Sequence, residues 1–112
     1  MRMLHHPARD DITLSGIFYA LSDPTRQDIV KDLATITEKT CGAFGQSVAK
    51  STMSHHFKVL RESGLTRTRL EGTQSFISLR RDDLDLRFPG LLDTIIEACA
   101  REEKVHQETV GV

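Results

Sequence analysis

Between Lys50 and Arg81 the chain reads KSTMSHHFKVLRESGLTRTRLEGTQSFISLRR, and this segment has few ways to fold. Met53, Phe57 and Leu60 recur at intervals of four and three, one stripe of a helix spanning about Ser51 to Ser63. Gly64 follows where a left-handed C-terminal cap is wanted. Leu65 to Arg69 and Ser75 to Leu79 have strand character, and Glu71-Gly72-Thr73 supplies the turn between them. A helix of roughly 20 Å, at about 1.5 Å per residue, therefore runs straight into a β-hairpin. Arg67 and Arg69 lie two apart and so project from the same face of their strand.

Charge singles out the same stretch. Lys50, Lys58, Arg61, Arg67, Arg69, Arg80 and Arg81 stand against Glu62 and Glu71, a net +5. The whole chain is formally −1, so the other 80 residues carry −6. A near-neutral protein that gathers its positive charge on one helix and hairpin presents it to a polyanion. A charge run taken alone is more often a solvated face. Here the polar helix start and the hairpin behind it favour nucleic acid.

The remainder of the 112 residues reads as one domain. Residues 1–10 are polar and broken by Pro7, an N-terminal arm, mobile or forming an added turn. Residues 11–104 form the folded unit and 105–112 a C-terminal tail. Leu14, Ile17, Phe18 and Leu21 make a helical stripe. Asp23 is placed to cap a second helix and Pro24 suits its first position, with Ile29, Val30 and Leu33 facing inward up to about Ile36. Residues 37–49 predict a compact loop or single-turn helix, with Cys41, Phe44 and Val48 turned to the core. The acidic run Asp82-Asp83-Leu84-Asp85 reads as a junction before a last helix from about Pro89 to Lys104, striped by Leu91, Leu92, Ile95, Ile96 and Cys99. No apolar run is long enough to span a membrane and the N-terminus lacks the apolar core of a secretory signal, so the expected location is cytoplasmic.

The fold class this implies is mainly α with a small β-hairpin: a winged helix-turn-helix with flanking helices. Ser51, Thr52, Ser54 and His55 face away from the apolar stripe at the helix start, where short hydroxyl side chains admit close approach to base edges. Lys58 and Arg61 lie further along and would reach the flanking backbone, and Lys50 joins the same candidate DNA-binding set. Arg67, Arg69 and Gln74 on the hairpin would grip phosphates or enter the adjacent minor groove. His55 and His56 diverge by about 100° on a helix and do not chelate one ion readily. His56, nearer the buried side, is better read as a hydrogen-bonded structural histidine.

The segments ALSDPTRQDIVKDL at Ala20–Leu33 and STMSHHFKVLRESGL at Ser51–Leu65, followed by the wing, resemble the ArsR/SmtB-type winged-helix transcriptional regulators. The resemblance covers roughly Ile12 to Leu79. It implies a homodimer whose first and last helices form the interface, here through Leu14, Ile17, Phe18, Leu21, Leu91, Leu92, Ile95 and Ile96. It also implies a repressor of a double-stranded DNA operator, released by an inducer that the chain leaves unidentified, small molecule or otherwise. Two departures stand out. The stretch between Cys41 and Ser51 looks about two residues shorter than the family pattern, and Ala49 stands where a hydroxyl N-cap is usual, so Ser51 is expected to cap instead.

By the same resemblance, thiolate sensors would need more sulfur than Cys41 offers near the third helix. Zinc sensors would need an early histidine in the last helix, where this chain has Asp93, Glu97, Glu103, His106 and Glu108. No metal and no cofactor is expected. Cys41 and Cys99 could form a redox switch only if their Cα atoms come within roughly 7 Å, so a thiol-based redox repressor is one alternative. A winged-helix protein-interaction module is the other, although the outward residues of the helix are polar. No catalytic constellation is present and the chain does not read as an enzyme.

Overall fold

The structure, a computed structural model, describes residues 4–44 and 49–110, with side chains described as far as residue 102. A 3₁₀ turn at Arg9–Asp11 precedes α1 (Leu14–Ala20) and α2 (Pro24–Thr35). A two-residue strand β1 (Lys39–Thr40) and a 3₁₀ turn at Cys41–Ala43 lead to α3 (Lys50–Ser63). Strands β2 (Thr66–Glu71) and β3 (Gln74–Leu79) form the wing, and α4 (Arg81–Arg87) and α5 (Leu91–Val110) close the chain.

The first two helices start by the same device. Thr13 Oγ1 accepts the Gly16 N–H at 3.0 Å and Asp23 Oδ2 accepts the Arg26 N–H at 3.1 Å, each satisfying a free first-turn donor. Pro24 occupies the first turn of α2, as its fixed φ favours. Helix α3 differs from expectation at its start. It begins at Lys50, with Ala49 in the N-cap position and no side-chain bond there, so Ser51 is a helical residue and not the cap. Its other end is as read: Gly64 has φ +88° and its N–H returns to the carbonyls of Arg61 and Leu60. A Cβ at Gly64 would stand 2.5 Å from Cγ1 of the buried Ile12.

The sheet is antiparallel with order β1-β3-β2, the wing pairing Thr66 with Leu79 through to Glu71 with Gln74. Gly72, at φ +59°, opens the two-residue turn. The sequence did not reveal β1, which adds Lys39 and Thr40 to the far side of β3 opposite Ile77 and Phe76. In its described part the expected compact connector is thus a strand plus a 3₁₀ turn. It delivers Phe44 to the core, where its ring meets Phe57 edge-on with centroids 5.4 Å apart. The expectation for Val48 lies outside the described residues. The acidic junction is corrected as well: it is helix α4, with Asp82 and Asp83 in the first turn, where the helix dipole favours carboxylates, and Leu84 buried. The last helix starts at Leu91 rather than Pro89, and its backbone continues through the expected tail to Val110.

One core unites these elements: Ile12, Ile17, Ala20, Ile29, Val30 and Leu33 meet Met53, Phe57, Leu60, Leu65, Ile77, Leu84 and Leu92. That narrows the surface offered by α1 and α5. Ile17 and Leu92 are fully buried within the single chain, so they have no open face to give a partner, and Leu21 is half-buried against the core. Leu14 and Phe18 are exposed at 43% and 57%, and Leu91, Ile95 and Ile96 are half-buried.

Gly64→Ala is expected to destabilise the fold by about 2 kcal/mol, since a side chain at positive φ costs about 1–2 kcal/mol and this one also meets Ile12. Urea denaturation checks it; an unchanged midpoint would mean that the turn after α3 relaxes freely.

Candidate nucleic-acid interface

A buried arginine sets the orientation of α3. Arg26, 7% exposed, donates from Nε to the Ala20 carbonyl at 2.6 Å, occupying an acceptor at the C-terminal end of α1. Its NH1 lies 3.1 Å from Nδ1 of His56 on α3. An arginine can only donate, so Nδ1 is the acceptor and the ring proton sits on Nε2. His56 is buried and hydrogen-bonded, the structural role its position suggested. Asp23, which caps α2, has its carboxylate 3.8 Å from the same imidazole.

With Met53, His56, Phe57 and Leu60 buried, the opposite face of α3 is open. Lys50, Ser51, Thr52, Ser54, His55 and Lys58 are all exposed, and Arg61 is half-buried. The residues singled out on this helix therefore share one surface. Among the described residues Lys50 and Lys58 have no carboxylate partner, so their charge is available to an outside anion. Ala49 supplies no side-chain acceptor to the first-turn N–H groups, whose partial positive charge adds to the same end.

The wing arginines are differently placed. Arg67 and Arg69 do share the exposed face of β2, alternating with buried Thr66 and Thr68, and Gln74 is exposed beside the turn. Yet both arginines are already paired. Arg69 holds Glu38 through NH2 at 2.8 Å and Nε at 3.3 Å, also bonds Glu71, and lies over the Phe76 ring at 4.5 Å. The bond from Arg69 holds the Glu38 carboxyl below its usual range. Arg67 reaches Asp83 Oδ2 at 3.2 Å, a carboxylate shared with Arg80 and Arg9, each at 2.9 Å. Arg81 pairs with Asp93 at 2.8 Å. Much of the +5 counted along this stretch is thus offset by carboxylates from elsewhere in the chain.

Between α3 and the wing lies an open groove of about 470 Å³, lined by Ser51, Ser54, His55, Lys58 and Arg61 on one side and Thr68 and Ser75 on the other. Thr68 Oγ1 is buried with no partner among the described residues, a spare donor at the groove wall. Hydroxyls and cations flanking an open trough suit the oxygens of a sugar–phosphate strand. Cys41 lies in this groove, and burial pushes its thiol up against the opposing influence of Arg61. Burial, then Glu102, raises the Cys99 thiol in a separate environment beside Lys31 and Asp28. Neither setting favours a thiolate. Among the described residues no three His, Cys, Asp or Glu side chains gather as a metal site, and no helix is long and apolar enough to cross a membrane.

Comparison with known proteins bears on the family and the fold. A helix-turn-helix domain family matches residues 21–69. The HTH-type transcriptional regulator YceK of Bacillus subtilis is 42% identical over 89 residues, covering 77% of this chain and 89% of the relative. A solved ArsR family transcriptional regulator superposes with a TM-score of 0.59 at 26% identity, over 85% of this chain and 96% of its own. A fragment of a Mycobacterium bovis protein described as a possible transcriptional regulator shares the fold, with a TM-score of 0.53 at 20% identity over 84% and 90% of the two chains.

Asp83 carries a pH signature. Its bond from Arg9, followed by that from Arg80, holds the carboxyl below its usual 3.8 despite an opposing effect of burial. A lowered folded value means that the stabilisation is full above pH 3.8 and is lost as the pH falls through the depressed value. Asp83→Asn should therefore cost about 1 kcal/mol near neutrality, discounted because Arg9 and Arg67 are solvent-screened. The difference from wild type should close in acid. Denaturation midpoints across pH check this, and a gap that persists in strong acid would contradict it.

Proposed function

This chain belongs to the ArsR-type helix-turn-helix transcriptional regulators, and from that premise we propose that it is a homodimeric, cytoplasmic repressor released from an operator by an inducer. The observation that carries the DNA-reading assignment is the outward face of α3, where Ser51, Thr52, Ser54 and His55 lie between the unpaired Lys50 and Lys58. In this reading residues 51–58 enter a major groove, the adjacent trough seats the backbone, and Gln74 with the wing arginines meets the flanking phosphates. Exposed Leu14 and Phe18 on α1, with half-buried Leu91, Ile95 and Ile96 on α5, support a two-fold partner. Two-fold symmetry asks for an inverted-repeat operator with half-sites about one or two helical turns apart. The raised thiols weigh against the redox alternative, and the polar face of α3 weighs against a protein-interaction module.

Fluorescence anisotropy on the DNA upstream of its own reading frame, beside a scrambled duplex, tests the assignment. Lys58→Ala should weaken both duplexes alike and reduce the salt slope by about 1. Arg69→Ala should matter less, because Glu38 and Glu71 already compete for that guanidinium. Thr52→Ala and His55→Ala should each lower discrimination between the duplexes roughly fivefold, the worth of one hydrogen bond. Equal losses on both duplexes for all four variants would contradict this division of roles. Separately, Phe18→Asp is expected to shift the protein towards monomer in sedimentation; an unchanged mass would remove α1 from the interface.

A further inference from the structure

The segment before α1 follows a path that the core does not require. The His5 carbonyl accepts from Arg61 Nε on α3 at 3.2 Å, and His6 Nε2 accepts the Thr68 backbone N–H on β2 at 3.0 Å. The Pro7 carbonyl then accepts from Arg80 at 2.7 Å, and Arg9 bonds Asp83 on α4 at 2.9 Å. Two consecutive residues thus bond the candidate recognition helix and the wing, one each. Strand β2 is an edge of the sheet, with β3 on its inner side, so the outward N–H of Thr68 has no strand to receive it. Leu4 continues along the same path into the groove that holds Ser51, Ser54 and Lys58.

We propose that residues 4–9 are a working part of the DNA-binding apparatus: a strap that sutures α3 to the wing, with His6 as its positioning residue. This rests on the DNA-binding reading above. The wing is also held through β3 to β1 on its far side and through the Arg67–Asp83 and Arg69–Glu38 ion pairs, and the strap adds a backbone bond on the open edge of β2. The suture fixes that edge against α3, and so sets the spacing between the helix that reads a major groove and the hairpin that meets the neighbouring backbone. Only a neutral imidazole can accept the Thr68 N–H, because a protonated ring has no lone pair on Nε2. The ring also has a backbone hydrogen bond with Leu4. The charged groups around His6 are Arg61 of α3, Arg67 of β2 and Arg80 after β3, with Arg9 of the strap and Asp83 of α4 beside them. Burial first, then the three arginines, press its affinity for a proton below the usual 6.5. The contact is therefore complete above pH 6.5 and is lost as the pH falls through the lowered value.

Full-length wild type, His6→Ala and His6→Gln would be compared by anisotropy on the upstream duplex from about pH 7.5 down through the range in which the Thr68 amide of wild type titrates, at fixed ionic strength. The Thr68 amide resonance would be followed over the same range. A glutamine amide oxygen can accept the Thr68 N–H and does not titrate. We expect His6→Ala to bind roughly fivefold more weakly at the higher pH, the worth of one hydrogen bond. His6→Gln should bind like wild type there and gain on it in acid. The Thr68 amide should titrate in wild type and stay fixed in His6→Gln, and circular dichroism would confirm that all three chains are folded. Wild-type binding matched or exceeded by His6→Ala overturns the suture alone. Failure of wild type to bind any duplex overturns the functional reading and this proposal with it, and the Thr68 titration then separates a wrong geometry from a wrong function.

Discussion

The bonds of Arg26 are the constraint on which the rest of the structure depends. A guanidinium almost out of water must find acceptors in every direction it points. It finds the Ala20 carbonyl at the end of α1 and Nδ1 of His56 in the middle of α3. Three helices are thereby fixed around one charge, with Asp23, the α2 cap, close by. Rotating α3 about its axis would break the Arg26–His56 bond and leave a buried imidazole nitrogen without its donor, a cost that apolar packing alone would not impose. The polar face of α3 points outward because the buried face is specified by hydrogen bonds as well as by Met53, Phe57 and Leu60.

A second charge centre forms at Asp83. Asp83 receives Arg9, Arg67 and Arg80, which brings the strap, the wing and α4 to one carboxylate. Together with the Glu38 and Glu71 pairing of Arg69, this leaves the cations that have no carboxylate partner among the described residues on the α3 side of the candidate surface rather than on the hairpin. DNA approaching the wing has to exchange carboxylate contacts for phosphate contacts. Such an exchange is nearly neutral in energy and strongly dependent on geometry. Approach to Lys50 and Lys58 needs no exchange, so in the proposed reading the helix would supply attraction and the wing fit.

Much of this was legible in the sequence wherever the signal is local. Asp23-Pro24, Gly64 and the turn at Gly72 each declare a backbone state through residue chemistry, and all three appear as read. The 3.6-residue stripe of α3 placed its buried and exposed sides correctly, His56 included. What escaped depends on partners distant in the chain. Strand β1 is two residues that become a strand only against β3. The pairing of Arg69 with Glu38 spans 31 residues, and that of His6 with Thr68 spans 62. Helix α4 could have been found, since acidic residues at a helix start followed by Leu84 and Phe88 four apart are a local signature that the acidity of the run obscured. The role of Arg26 had no local signature at all.

The central claim is that the outward face of α3, with the trough beside it, is the surface that meets DNA. Amide chemical-shift mapping of the ¹⁵N-labelled protein on adding the upstream duplex tests it most directly. The account expects the largest shifts over residues 50–58 and across the trough at Thr68 and Ser75, with α4 and the exposed side of α5 nearly silent. Shifts concentrated on α4 or α5, with Ser51, Thr52 and His55 unmoved, would contradict it.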